Sequence, residues 1–201
     1  MYTPRQFGMA EADAIRLVNQ YPFGLLISTT DGELHTTHVP FLLSEDATTL
    51  TCHVARANPH WQQLPCTVTA VFNGPDHYIS PNWYAAADQV PTWNYEAVHI
   101  TGDATTFDDA ASLEQLVADL SANMEAGFNI PWTMDKLSDR TRVALLRAIV
   151  GIRIDIQHMD GKSKLSQNKP DEIGGIISAL TDAPGESAAT AMARRLSGNQ
   201  I

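Results

Sequence analysis

Residues 23–43 read FGLLISTTDGELHTTHVPFLL, and this stretch decides the fold class. Residues 23–29 are apolar and β-branched enough for a buried strand. Asp31-Gly32 is the pair that two-residue hairpin turns favour, because both central positions need positive φ. Residues 34–43 return as a second strand, and Pro40 marks an edge or a bulge because proline has no amide hydrogen for a ladder. A chain that turns back so tightly is building antiparallel sheet.

Working outward, the spacing predicts a helix over 10–20 that buries Ile15, Leu17 and Val18 and stops at Tyr21-Pro22. Downstream, 48–54 reads as a third strand. Arg56-Ala57-Asn58-Pro59 breaks it, and a short helix follows through Trp61 and Leu64. Residues 67–72 form a fourth strand, with Asn73-Gly74-Pro75 a turn before 77–80. Residues 90–107 are one long extended segment. Trp93, Tyr95, Ala97, His99 and Thr101 share one face, and Thr92, Asn94, Val98 and Ile100 the other. Asp108 or Asp109 caps a helix to about Met124, and 135–147 is helical again. Ile152, Ile154 and Ile156 alternate as a strand, and the basic loop GKSKLSQNK (161–169) follows. A helix opened by Pro170, with Asp171 and Glu172 in its first turn, carries the stripe Ile173, Ile176, Ile177 and Leu180. Asp182-Ala183-Pro184-Gly185 breaks it before an Ala-rich helix. Strands first and helices late make an α+β chain with a barrel-like antiparallel sheet.

Composition narrows the function. Net charge is −10, and residues 1–135 alone carry three arginines against 16 acids. Such a surface repels nucleic acid, whose affinity for proteins comes largely from phosphate neutralisation. No run reaches the roughly 18 apolar residues of a membrane span. The N-terminal residues have no apolar stretch behind a basic start, so no secretory signal is expected. Cys52 and Cys66 lie far from C-x-x-C spacing and read as reduced thiols, as in a cytoplasmic protein.

Four segments carry candidate chemistry. In residues 51–61, TCHVARANPHW, a strand ends, turns and starts a helix, and Arg56 is the one Lys or Arg between Arg16 and Lys136. That suits a phosphate, or else a surface arginine neutralising acids. On residues 35–40, HTTHVP, His35 and His38 are three apart, so on a strand they face oppositely and do not make a metal site. Alternating hydroxyls and imidazoles suit a polar ligand or an exposed polar face. Residues 73–84 and 90–95 interleave aromatic rings with Thr, Asn and Ser, fit for stacking on a flat heterocycle or for a barrel core. The lysines of 161–169 suit an anion or a solvated loop. No spacing singles out a catalytic nucleophile with its base.

In order and over nearly the whole length, MYTPRQF, HVARANPHW, FNGPDHYISPNWY, VPTWNY-x-x-VH-x-x-G and GKSKLSQNK resemble the PaiB family, within the FMN-binding split-barrel superfamily. The resemblance implies a split β-barrel with peripheral helices: a barrel over 1–160 with helices inserted at about 109–147, and a C-terminal loop and helical extension over 161–201. It implies a homodimer with FMN at the subunit interface and a role as a negative transcriptional regulator, through DNA or a regulatory protein partner. A flavin-dependent reductase or oxidase, or a haem protein using His35, His38, His53, His60 or His99, are its alternatives. It places His35, Thr36, Thr37, His38 and Pro40, with Thr51, His53, Arg56, Asn58, His60 and Trp61, along the flavin, and Arg56 at its phosphate. Thr92, Trp93 and Asn94, with Lys162, Lys164, Ser166, Gln167 and Asn168, approach the ring. Against related flavin oxidases, this chain lacks a base near its second strand.

Overall fold

The computed structural model describes residues 1–182 and 187–198. The break expected over 183–185 lies outside the described residues. Two compact units are distinguished, Val18–Phe72 with His99–Met159, and Met1–Leu17 with Asn73–Val98 and Asp160–Ile201.

The unit built on Val18–Phe72 carries the split-barrel sheet. Its strands are β1 (Phe23–Thr30), β2 (Glu33–Pro40), β3 (Leu42–Leu43), β4 (Thr49–Ala55) and the adjoining parts of β5 (Cys66–Ile79), β6 (Thr92–Phe107) and β7 (Ile149–Lys164). The order is β2-β1-β5-β6-β7-β4-β3. β1 runs antiparallel to β2 and β5, and β4 to β3 and β7. β2 packs on β4, so the sheet curls its two ends toward each other. The turn forms as the sequence predicts: Thr30 pairs with Glu33, and Asp31 and Gly32 both take positive φ, 54° and 82°. That left-handed pair matches the twist of the flanking strands. The returning strand expected over 34–43, however, ends at Pro40, and Leu42–Leu43 pair with β4 instead. Pro40 ends β2, the edge strand, where its missing amide costs no ladder bond.

Inside the curl, Leu26, Phe41, Leu50, Cys52, Phe72, Ile100, Ile152 and Ile154 are buried. Phe41 and Phe72 meet edge-on at 5.2 Å between ring centres. Two helices belong to this unit. In α2 (Ala110–Glu125) Leu113, Leu116 and Leu120 are buried, and Asp109 accepts the Ser112 amide as N-cap. α3 (Asp139–Arg147) is capped by Ser138. Helix α1 (Glu11–Gln20) lies before the hairpin, close to its expected span.

The other unit contains the far ends of β5, β6 and β7 and helices α4 (Ile173–Asp182) and α5 (Ser187–Gly198). Ile79, Tyr84, Leu165, Ile176, Leu180, Met192 and Leu196 form its core.

Two further expectations are corrected. Asn73-Gly74-Pro75 is no turn; β5 runs through it. Burial falls on even positions up to Phe72 and on odd ones from Pro75, so the tripeptide shifts the phase of a continuing strand. Residues 161–164 are not loop but the end of β7. Lys162 and Lys164 alternate there with Gly161 and Ser163, a period-2 pattern in polar letters.

Candidate functional site

β4 delivers the segment predicted to hold an anion, and hydrogen bonds tie it to the hairpin. Asn58 accepts the His60 amide at 2.9 Å and starts a 3₁₀ turn over Pro59–Gln63. Its Nδ2 donates to Thr37 Oγ1 at 3.2 Å. The His60 ring is 2% exposed, with Nδ1 2.9 Å from Thr37 Oγ1 and Nε2 2.9 Å from Ser28 Oγ. His35, opposite Ser28 in the β1–β2 register, lies 5.9 Å from the His60 ring. Trp61 Nε1 donates to the Arg56 carbonyl at 2.9 Å and closes the turn. The structure thus brings His35, Thr37, Asn58 and His60 together, and places Trp61 on the same turn.

Other predicted residues lie apart from this cluster. Thr36 and His38 are exposed on the opposite face of β2, and the His38 ring stacks on Phe23. Thr51 and His53 share the outer face of β4. Thr51 lines a cavity with Leu42 and Phe107, and His53 Nδ1 is buried without a hydrogen-bond partner. Arg56 is turned toward α3: Nε donates to the Arg147 carbonyl at 3.0 Å and Nη2 to that of Ile149 at 3.1 Å, while Asp108 lies 3.5 Å away. A phosphate there competes with Asp108.

Burial, and then the neighbouring His35, lower the pKa of His60, and burial lowers that of His53. Both fold as neutral imidazoles. Each is protonated more readily in the unfolded chain, whose ordinary value is 6.5. The stability they confer is therefore complete above pH 6.5 and is lost as the pH falls toward their depressed folded values. Melting temperature is expected to drop between pH 7 and pH 5, and His60→Gln should flatten that decline. A decline just as steep in the variant would show that His60 is not its source.

The second predicted group lies in the other unit. Lys164 Nζ donates to Thr92 Oγ1 at 2.6 Å and to the Trp93 carbonyl at 2.5 Å. Ser166 Oγ donates to Asn94 Oδ1 at 3.0 Å. Gln167 braces the turn, accepting the Leu165 amide and donating to the Ser163 carbonyl. Lys162 Nζ lies 5.1 Å from the Tyr95 ring centre, and Asn168 lines a cavity with Lys164. Two buried carboxylates escaped the sequence reading. Glu96 accepts from Ser163 Oγ at 2.9 Å and pairs with Arg195 at 2.8 Å. Glu172 accepts the amides of Ala85 and Ala86. Only Glu96 left a signal, a carboxylate in phase with buried Asn94 and Val98 on β6.

Among the described residues no group of three His, Cys, Asp or Glu side chains could hold a metal, and no helix is long and apolar enough to cross a membrane. Residues 1–158 match the family model described as "Putative FMN-binding domain". The protease synthase and sporulation protein PAI 2 of Bacillus subtilis is 35% identical over 174 residues, 84% of this chain and 83% of that protein. Among solved structures, the FAD and haem binding protein of Mycobacterium smegmatis superposes with a TM-score of 0.61 at 13% identity, over 80% of this chain and 74% of that one. A conserved hypothetical protein from Mycobacterium tuberculosis gives 0.58 at 14%, over 84% and 92%. At these identities the two structures speak for a shared fold.

Proposed function

The chain belongs to the FMN-binding domain family, of the PaiB type its motifs resemble, and from that premise we propose that it binds FMN along the β2 edge and the turn after β4. The family match over residues 1–158 carries this reading. The donor set fits a flavin. As edge strand, β2 leaves one row of backbone N–H and C=O groups unpaired, and the pyrimidine edge of an isoalloxazine offers the matching acceptors and donor. The His35–Thr37–Asn58–His60 cluster holds the turn in one geometry, which lowers the ordering cost of binding. Bound flavin supplies redox chemistry, and these residues position it.

A homodimer is part of the proposal. Phe23 is 64% and Leu34 67% exposed on the hairpin, apolar surface that a second copy would cover. In regulation, the charge of −10 favours a protein partner over direct DNA contact. As a haem ligand His60 is poorly placed, because both ring nitrogens are engaged by hydroxyls.

Adding FMN should shift the flavin spectrum, quench its fluorescence and raise the melting temperature. At FMN one hundredfold above Kd the gain is about 2.7 kcal/mol. A protein that leaves free FMN unchanged and melts at the same temperature with it is no FMN protein. Sedimentation tests the dimer. Rapid, repeated bleaching by NADH or NADPH with a small acceptor would identify a reductase.

A further inference from the structure

The three lysines of residues 162–169 form a cation cluster without acidic partners. Lys162 and Lys164, two apart on β7, share a face, while Ser163 turns to Glu96. Their contacts are neutral: Lys162 Nζ donates to the Tyr2 carbonyl, Lys164 to Thr92 and the Trp93 carbonyl, and Lys169 to Gln89 Oε1. Lys169 Nζ also lies 4.3 Å from the Tyr84 ring centre. Among the described residues none of the three has a carboxylate within 4.0 Å, whereas Arg16, Arg56, Arg142, Arg153 and Arg195 each have one. Burial, then Lys162 and Lys169, lower the pKa of Lys164, so the repulsion stands uncompensated. The nearby acid, Glu172, already accepts two backbone amides.

A cavity of about 270 Å³ opens at this cluster, lined among others by Phe7, Tyr84, Thr92, Lys164, Asn168 and Lys169. That is near the lower end of small-molecule pockets. Tyr84 is 8% exposed, and its buried hydroxyl lies beside Ser166 without a hydrogen bond of normal geometry. Burial raises its pKa, the Ser166 side chain lowers it less, and the Glu172 carboxylate raises it further, so at neutral pH it remains a donor. Ser166, on the cavity wall, has φ of 64°, a conformation that L side chains adopt at a cost and that collects at binding sites. Cations without carboxylate partners, a buried hydroxyl and a cavity between them ask for one kind of occupant.

We propose that this cavity binds a phosphate-bearing anion, with Lys164 and Lys169 as its charge partners and Tyr84, Thr92 and Asn168 as hydrogen-bonding groups. Phe7, Val90 and Pro91 offer apolar wall to the rest of such a molecule. The phosphate is that of a small phosphorylated molecule, and FMN is tested as one candidate source. Binding of the anion goes beyond the flavin reading and does not require it.

A thermal-shift titration of the flavin-free full chain with sodium phosphate, against sodium chloride at matched ionic strength, tests this. Phosphate should raise the melting temperature specifically, and Lys169→Gln should raise the midpoint phosphate concentration at least tenfold. Tyr84→Phe deletes a hydroxyl that makes no protein hydrogen bond of normal geometry, so it should melt within about a degree of wild type without phosphate yet need at least threefold more phosphate. A purely structural Tyr84 would leave that midpoint unmoved. If saturating FMN abolishes the phosphate shift while riboflavin does not, the site holds the phosphate of FMN; a shift that persists with FMN bound assigns it to a second molecule. No phosphate-specific shift in flavin-free wild type, together with unchanged FMN-to-riboflavin affinity ratios in both variants, overturns the proposal. A chain that responds to phosphate but never binds FMN keeps this site and loses the cofactor reading.

Discussion

Gly102→Ala is expected to destabilise the protein by about 3 kcal/mol and to lower its melting temperature by about 10 °C. Gly102 is buried on β6, and a methyl there would stand 2.2 Å from the Asp155 carbonyl oxygen and 2.9 Å from Ile154 Cγ2, both on β7. Real Cβ atoms do not approach oxygen so closely. The obstacle is backbone, so no rotamer change relieves it, and β7 is held on its other side by the β4 ladder, in which Leu50 pairs with Ile154 and Thr49 with Asp155. Overpacking normally costs about 1–3 kcal/mol, and a rigid obstacle puts this site at the upper end. Gly32→Ala is the contrasting control. It meets no atom within 4 Å, so its cost is confined to the positive φ of a hairpin turn. Thermal melts of the two variants should separate by several degrees. Equal melting would mean that β6 and β7 part easily.

That contrast also shows what the sequence could and could not disclose. Asp31-Gly32 is legible because a two-residue turn is solved by its own backbone. Gly102 is silent, since its requirement is set by a carbonyl 53 positions away. Asn73-Gly74-Pro75 misled for the same reason: turn residues in isolation, they lie within β5, where sheet context outweighs local preference. In the candidate site, Arg56 was conspicuous as a lone cation, yet its partners Asp108, Arg147 and Ile149 are distant in the chain, and they turn it toward α3. The break at Arg56-Ala57-Asn58-Pro59 and the short helix after it were legible, whereas the cap that Asn58 makes and the hydroxyl of Ser28 across the hairpin were not. Buried Glu96 and Glu172 are paired with Arg195 and with two backbone amides, and only the fold brings those donors to them.

Replacing His60 with leucine should cost about 3 kcal/mol and weaken FMN binding at least tenfold. Leucine has similar bulk, so the loss isolates the two ring nitrogens rather than opening a cavity. It leaves the buried Ser28 hydroxyl without its partner and removes one of the two contacts that Thr37 makes to the turn. Each polar group stranded in this way costs about 1–3 kcal/mol. Asn58 still caps the turn, so the 3₁₀ segment over Pro59–Gln63 should form but no longer be pinned to β1 and β2. Flavin affinity then falls because the turn must be ordered on binding. His60→Gln can renew a bond to one hydroxyl but not to both, so it should sit between wild type and His60→Leu in melting temperature and in FMN affinity alike. Both measurements belong well below the melting point of the weakest variant, so that unfolding does not pass for lost binding. If His60→Leu melts within a degree or two of wild type, the imidazole contributes little to the fold. If it melts lower but binds FMN unchanged, the flavin does not lie along this turn.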